Sequence, residues 1–417
     1  MRKKVFMQSK EKIFKGKTLA ILSGGGDTPA INSSIENIRN RALVLGFKVY
    51  GIRQGWKGLL GEGDIVDLTN QPYNGVYGGT ALFSSRTNPF PSKNNPEDRV
   101  PQIINNLKRY KIDVLVSIGG DDTNGAAKRL YEQEGIPVIG FPKTIDNDLR
   151  TKTMHSFKGE TMEAVLCPGF PTAALRISEM VRTLRTTNES HRRVMVVEVM
   201  GRDAGWLTGS AVFGGAEITL VPECEMTAEK KEQFFSVVKE RYQEKGNLVI
   251  AVSEGVRWWD EAKKQLGMVY ASSDLDEYGH PRFGGVSGII ASEINSRLNI
   301  PARSQISGYY PRSGFCCEYD RQLTSTLADK VLDLLLREDY GQMPVMRKIV
   351  PTEELEEYNA SSIDMGSIGN QPLQSIYYND NQFVFTDAYI DFLKNILGEP
   401  YLPTFGFDFK KINPEKL

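Results

Sequence analysis

The residues best suited to chemistry lie between Asp113 and Asp148, where the chain reads DVLVSIGGDDTN and, after a spacer, IPVIGFPKTIDND. Asp121, Asp122, Asp146, Asp148 and Lys143 fall in two short polar stretches, each following an apolar run. Adjacent carboxylates repel, so Asp121 and Asp122 together call for a cation, and Lys143 stands at the matching place after the next run. One carboxylate would suffice to cap a helix, the structural alternative for this pair. Asp146 and Asp148, one residue apart, point the same way if the segment is extended and lie around a turn if it is not. Either arrangement can supply a metal-side carboxylate and a proton-accepting one.

Val114–Ile118 and Ile136–Phe141 have the length and β-branched content of buried parallel strands, and Gly125 to Glu134 between them suits a crossover helix. In open parallel sheets ligands gather at the carboxyl ends of strands, so this unit aims its charged tips into one crevice. Thr18–Leu22 is a similar run, ending in Ser23-Gly24-Gly25-Gly26-Asp27-Thr28-Pro29. Glycine N–H groups can approach a phosphate, and Pro29 suits the first turn of a helix whose amino terminus favours anions. Such turns also occur as plain tight turns, and this one does not fit the dinucleotide fingerprint G-x-G-x-x-G. After the run Val49–Ile52, Gly75 to Arg86 forms another small-residue turn, ending in an arginine able to grip phosphate bidentately.

With 417 residues, the chain has room for two or three domains. Its formal net charge of -1 argues against a nucleic-acid or membrane-surface binder. Cys167, Cys224, Cys316 and Cys317 form no C-x-x-C pair and read as reduced thiols. The basic amino terminus lacks the apolar stretch of a secretory signal, and no run approaches a membrane span, so a cytoplasmic protein is expected.

Further along, Glu163 to Arg185 has a helical pattern, and Val194–Val199 and Leu248–Val252 read as buried strands ending in Met200-Gly201-Arg202-Asp203 and Ser253-Glu254-Gly255. Trp258 to Phe283 reads as an irregular surface insertion, Val286–Leu298 as a helix, and Asp320 to Arg337 as another. The Asn, Tyr, Pro and Phe content beyond suggests packing or subunit contact. His191 has no nucleophile arranged with it and is assigned a structural role.

The loops GGDDT, PKTIDND and VEVMGRDAGWL, in this order and spacing from about Thr18 to Arg321, resemble those of the phosphofructokinase family. The resemblance implies an α/β chain with two Rossmann-like parallel-sheet domains. Residues 1–157, completed by part of 309–361, would hold the phosphoryl donor and magnesium; residues 158–308, completed by part of 362–417, would hold the sugar phosphate. It implies phosphoryl transfer to the 1-hydroxyl of fructose 6-phosphate, with Asp146 as general base, Thr144 and Arg202 as its catalytic companions and Asp121 as the magnesium carboxylate. Gly25, Gly26, Arg86, Asp122, Thr123 and Lys143 would cradle the donor. Thr144, Asp146, Asp148, Met200, Gly201, Arg202, Glu254, Tyr309 and Arg312 would bind the sugar. Arg193 and Arg303 would reach the 6-phosphate of a neighbouring subunit, implying a homodimer or homotetramer with active sites at subunit interfaces. Phosphoryl transfer needs little more than such positioning and charge neutralisation.

The donor turns on two positions. ATP-using members typically carry glycine where this chain has Asp122, and commonly also where it has Lys143. A carboxylate at the first place repels a nucleotide's α-phosphate, and a lysine at the second supplies charge to pyrophosphate, so the pair resembles the pyrophosphate-dependent branch. Thr28, Ala30 and Thr123 depart from the family's phosphate loops, and Tyr309 stands where many ATP-using bacterial members have histidine. Glu36 and Asn40 replace arginines of their allosteric phosphate site, so weak control by nucleoside diphosphates and phosphoenolpyruvate is expected. The alternatives are an ATP-dependent 6-phosphofructokinase, a lipid or NAD kinase with a similar GGDG-type loop, and a non-catalytic sugar-phosphate-binding subunit.

Overall fold

Strands that are apolar at every position can bury both faces only in a parallel sheet covered by helices. In the computed structural model, which describes residues 13–93, 95–152, 155–157, 160–272, 282–350 and 358–400, β1 (Thr18–Ser23), β4 (Val114–Gly119) and β5 (Val138–Pro142) are buried along their whole length. With β2 (Lys48–Ile52) and β3 (Ile65–Asp67) they form a sheet in the order β3-β2-β1-β4-β5, parallel except for β3. Its helices are α1 (Ile31–Val44), α2 (Val100–Arg109) and α3 (Asp121–Glu134).

A second sheet follows the same logic. The buried strands β9 (Val194–Val199) and β11 (Leu248–Ser253) lie between β10 (Ile218–Leu220) and β16 (Ala302–Ile306), all parallel, in the order β10-β11-β9-β16. α4 (Phe170–Ser190), α5 (Ala228–Lys245) and α6 (Val286–Leu298) belong to this part, and α7 (Glu318–Arg337) packs against α1. Strand order reverses beside β1, flanked by β2 and β4, and beside β9, flanked by β11 and β16. Crevices open at such switch points, which places both candidate loops at strand carboxyl ends.

Two further features differ from the sequence reading. Glu163 to Leu166 is not helical: it belongs to β8 (Glu160–Leu166), which lies in an antiparallel sheet with β7 (His155–Phe157), β17 (Gln342–Val350) and β18 (Tyr358–Asp364). The helix starts only at Phe170, after Gly169 at φ 104. Trp258 to Phe283 contains two short hairpins, β12 (Trp258–Asp260) with β13 (Gln265–Gly267) and β14 (Tyr270–Ser272) with β15 (Arg282–Phe283). Trp258 is buried edge-on against Phe234 and Phe235, so the stretch begins in the core rather than on the surface.

The carboxyl-terminal part closes over both sheets. β19 (Ile368–Asn370) pairs with β6 (Leu149–Thr151) just after the TIDND loop. From α8 (Asp387–Leu397), Tyr389 and Phe392 pack on Trp206, whose ring also lies 4.3 Å from the Arg150 guanidinium. Among the described residues no helix is long and apolar enough to cross a membrane.

Candidate active site

The glycine loop after β1 is fixed by its neighbours. Gly25 N–H donates to Ser85 O at 3.0 Å, and the Ser84 hydroxyl donates to Gly25 O, which lays the turn leading to Arg86 along the loop. Asn32 of α1 fastens the same turn, donating to Tyr77 O at 3.0 Å and accepting from Ala81 N–H at 2.8 Å. Arg86 is exposed, and its charge is felt by Lys143.

At the tip of β4, the Asn124 amide donates to Gly119 O at 2.7 Å and to Phe141 O at 3.3 Å, joining the ends of β4 and β5. Asp121 and Asp122 occupy the first turn of α3, where negative charge is favoured, but the N-cap is Gly120 and neither carboxylate performs that role. Thr123 is buried, Asp121 half-buried and Asp122 exposed. Burial pushes the Asp121 carboxyl above its usual range, and the Lys152 charge opposes the shift.

Lys143 is only 3% exposed, and its Nζ donates to Gly26 O at 2.6 Å. Burial first, then the Arg312 and Arg86 charges, push its ammonium down to about 8. Arg312, arriving from beyond β16, donates from Nη1 to Asp27 O at 2.8 Å. A Cβ at Gly26 would stand 2.8 Å from that same Nη1, so a side chain there would displace the guanidinium from its place against the loop.

The TIDND segment forms a bend. Asn147 adopts φ 51, a left-handed conformation that asparagine tolerates, and its Oδ1 accepts from Cys167 N–H at 3.0 Å. The Thr144 hydroxyl donates to Asp148 Oδ1 at 3.0 Å and accepts from Asp146 N–H at 3.0 Å, so one hydroxyl orients both aspartates. Asp146 Oδ1 is buried with no hydrogen-bond partner among the described residues, an acceptor that a substrate hydroxyl can satisfy. Burial raises the Asp146 carboxyl, and the Arg312, Arg202 and Lys143 charges counter it.

Asp148 carries a testable consequence of this arrangement. Burial, reinforced by the Asp146 charge, pushes its carboxyl up to about 7. An unfolded aspartate ionises near ~3.9, so the folded state holds an extra proton between the two values and loses stability as pH rises through that window. Asp148→Asn is expected to raise Tm more at pH 8 than at pH 5 in thermal denaturation; an equal or smaller gain at pH 8 would contradict the buried-carboxyl account.

The second switch point opens into a cavity of about 350 Å³ whose lining includes Met200, Glu254, Phe283, Ile306, Ser307 and Tyr309. Burial, then the Asp146 charge, push the Glu254 carboxyl up to about 7. Glu198, buried at the cavity wall, accepts from Gly285 N–H and Ser287 N–H, each at 2.9 Å, and so clamps the amino terminus of α6 to β9. The Arg202 guanidinium lies 5.8 Å from the Phe283 ring centroid. Gly201, between Met200 and Arg202, takes φ 139.

The fold thus gathers Gly25, Gly26, Arg86, Asp121, Thr123 and Lys143 around the first switch point, with exposed Asp122 at its edge. Thr144, Asp146 and Asp148 lie between it and the cavity lined by Met200, Glu254 and Tyr309, with Gly201 and Arg202 following Met200 in the chain, and the Arg312 charge is felt by Lys143, Asp146 and Glu254. Arg193 and Arg303 are elsewhere: they sit at the starts of β9 and β16, where Arg303 pairs with Met195. Neither lines the cavity: Arg193 stands five residues of strand, about 16 Å, before Glu198, and Arg303 three residues, about 10 Å, before Ile306. Arg193 Nη2 donates to Thr187 Oγ1 at 3.2 Å while its Nε is buried without a partner among the described residues, and Arg303 is exposed.

Sequence reasoning passed over Glu198, Asp203 and Phe283. Glu198 had a signal, a charge inside the apolar run VVEV; Asp203, whose charge reaches Asp146, Asp148 and Glu223, follows Arg202 in the quoted motif. Phe283 had none, because hairpin pairing places it.

A family model described as phosphofructokinase matches residues 18–335. The chain belongs to the phosphofructokinase family. Among curated relatives, the pyrophosphate–fructose 6-phosphate 1-phosphotransferase of Streptomyces coelicolor is 37% identical over 333 residues, covering 79% of this chain and 90% of that protein. The ATP-dependent 6-phosphofructokinase 3 of the same organism is 35% identical over 339 residues, with 79% and 90% covered. The crystal structure of the pyrophosphate-dependent phosphofructokinase from Marinobacter aquaeolei superposes with a TM-score of 0.72 at 20% identity over 93% of each chain, a shared fold. In this chain β17, β18, β19 and α8 lie beyond the family match; β19 pairs with β6 just after the TIDND loop and α8 packs on Trp206.

Proposed function

We propose that the chain transfers a phosphoryl group from pyrophosphate to the 1-hydroxyl of D-fructose 6-phosphate, giving fructose 1,6-bisphosphate and phosphate. The carrying observation is the buried Lys143 ammonium bonded to Gly26 O, a cation fixed at the glycine loop where an inorganic donor needs it. The resemblance of relatives named pyrophosphate–fructose 6-phosphate 1-phosphotransferase supports this reading. The reaction runs in both directions, because the anhydride spent and the ester formed lie close in energy.

The residues fit magnesium. Asp121 is a half-buried carboxylate whose ionised form burial disfavours, which a cation would offset. No group of three or more His, Cys, Asp or Glu side chains suited to a metal occurs among the described residues. A single carboxylate plus donor phosphate oxygens is the usual way magnesium is held in phosphoryl-transfer sites. When bound, the ion would neutralise charge on the donor. The protein's own part is to hold the donor with Lys143, Arg86 and the glycine loop and to take the hydroxyl proton on Asp146.

Arg193 and Arg303, which are not among the residues lining the cavity of their own chain, support a homo-oligomer in which each subunit lends these arginines to its neighbour's 6-phosphate. Small soluble substrates and the absence of a spanning helix among the described residues fit a cytoplasmic setting. A second reading, ATP as donor, draws on the exposure of Asp122 and on relatives named as ATP-dependent.

The deciding experiment is initial velocity with fructose 6-phosphate and magnesium, pyrophosphate against ATP at equal concentration. Turnover with pyrophosphate and not ATP is expected. Turnover with ATP alone would overturn the donor assignment, and turnover with neither would overturn the enzyme reading.

A further inference from the structure

The Asp121 end of the crevice has a wall built by residues beyond the family match. Asp364 accepts from Lys128 Nζ of α3 at 2.6 Å and from Gly366 N–H at 2.8 Å, which pins the turn before β19 onto α3. Lys152, immediately after β6, donates its N–H to Ser367 O at 2.9 Å and its Nζ to Gly366 O at 3.2 Å. Its side chain lies over Gly369. A Cβ there would stand 2.5 Å from Lys152 Cε and 3.5 Å from Asp121 Oδ1, so the lysine stem and the Asp121 carboxylate share one glycine surface.

A pyrophosphate donor carries no nucleoside, and its affinity must come from contacts to phosphate oxygens, which charge-assisted hydrogen bonds supply best. The first turn of α3 presents two carboxylates, Asp121 and Asp122, toward this end of the site. A polyanion there requires further positive charge. The Lys152 side chain is exposed on a flexible stem, and the Gly366 carbonyl that holds its ammonium is a neutral acceptor, readily exchanged for a phosphate oxygen.

We propose that Lys152 is a second donor-phosphate ligand, which releases Gly366 O to bind pyrophosphate at the Asp121 end of the crevice, with Gly369 kept small to let its stem pass. This rests on the pyrophosphate reading above. Lys152 contributes to donor affinity and not to sugar affinity, because the cavity holding Met200 and Glu254 belongs to the other sheet.

The test uses the full chain and two readouts: half-saturation by pyrophosphate and by fructose 6-phosphate in steady state, and calorimetric titration with pyrophosphate alone. Lys152→Met is expected to weaken pyrophosphate binding by about 10- to 100-fold in both readouts, the range for losing a charged hydrogen bond, with the sugar half-saturation nearly unchanged. Lys152→Arg should recover most of the loss, and Gly369→Ala, which displaces the stem, should shift pyrophosphate in the same direction. Unchanged pyrophosphate affinity in a folded Lys152→Met overturns the inference alone, as does equal weakening for both substrates, which would mark a structural role. No pyrophosphate turnover by the unsubstituted protein overturns the donor reading and this inference with it.

Discussion

Asp146→Asn is expected to lower kcat by about 10²–10⁴ while changing the half-saturation for fructose 6-phosphate only slightly, the signature of removing a positioned base. The size follows from the geometry. Asp146 Oδ1 is a buried acceptor without a protein partner among the described residues, and the backbone N–H of the same residue is already held by Thr144. An amide in its place can still receive a hydrogen bond but cannot take the proton. Burial raises the Asp146 carboxyl, so the ionised form is disfavoured by the fold, and the substitution should leave Tm unchanged or higher at neutral pH. Loss of kcat with retained Tm separates chemistry from misfolding. A loss below about tenfold would remove Asp146 from the role of base.

Donor choice is the second large effect. Lys143→Gly should reduce kcat/KM for pyrophosphate by about 10²-fold, the scale of losing a charged hydrogen bond to phosphate at a desolvated site. Its pH signature distinguishes this from a structural defect. The folded ammonium lies down at about 8, below the ~10.4 of a free lysine, so the native state binds fewer protons than the unfolded one between those values, and stability rises with pH across that window. Removing the lysine removes this slope, which thermal denaturation at pH 7 and pH 10 would read. Asp122→Gly, at the exposed edge of the same site, should instead admit ATP measurably by deleting a like charge. If ATP turnover stays at background in Asp122→Gly, that carboxylate does not gate the donor. If Lys143→Gly uses pyrophosphate normally, the lysine does not bind it.

Both predictions rest on loops that the sequence made visible, and for a physical reason. β1, β4, β5, β9 and β11 are buried on both faces and therefore read as continuous apolar runs, and the polar residues that interrupt each run mark its carboxyl-terminal tip. The reading of Val114–Ile118 differs from β4 by one residue at the tip, and Val286–Leu298 coincides with α6. What stayed hidden depends on partners far along the chain. β8 pairs with β17, and without that partner Glu163 to Leu166 shows only a mixed pattern that also fits a helix. Phe283 reaches the cavity beside Met200 through a hairpin with Tyr270, and Lys152 reaches Asp121 across a glycine of β19. The bend at Asn147 was open in the sequence between turn and extended strand, and the left-handed φ of that residue resolves it.

The bond from Arg312 to Asp27 O has a consequence for how the two substrates sense each other. Arg312 comes from the segment after β16, and its Nη1 holds Asp27 O of the glycine loop at 2.8 Å, where a Cβ added at Gly26 would meet it. A sugar phosphate that draws this guanidinium toward itself changes the free energy of the donor loop, and a donor that reshapes the loop changes the free energy of the guanidinium. Linkage makes the two effects equal: whatever factor the sugar phosphate applies to donor affinity, the donor applies to sugar-phosphate affinity. Replacing Arg312 should therefore uncouple the two affinities as well as lower one of them.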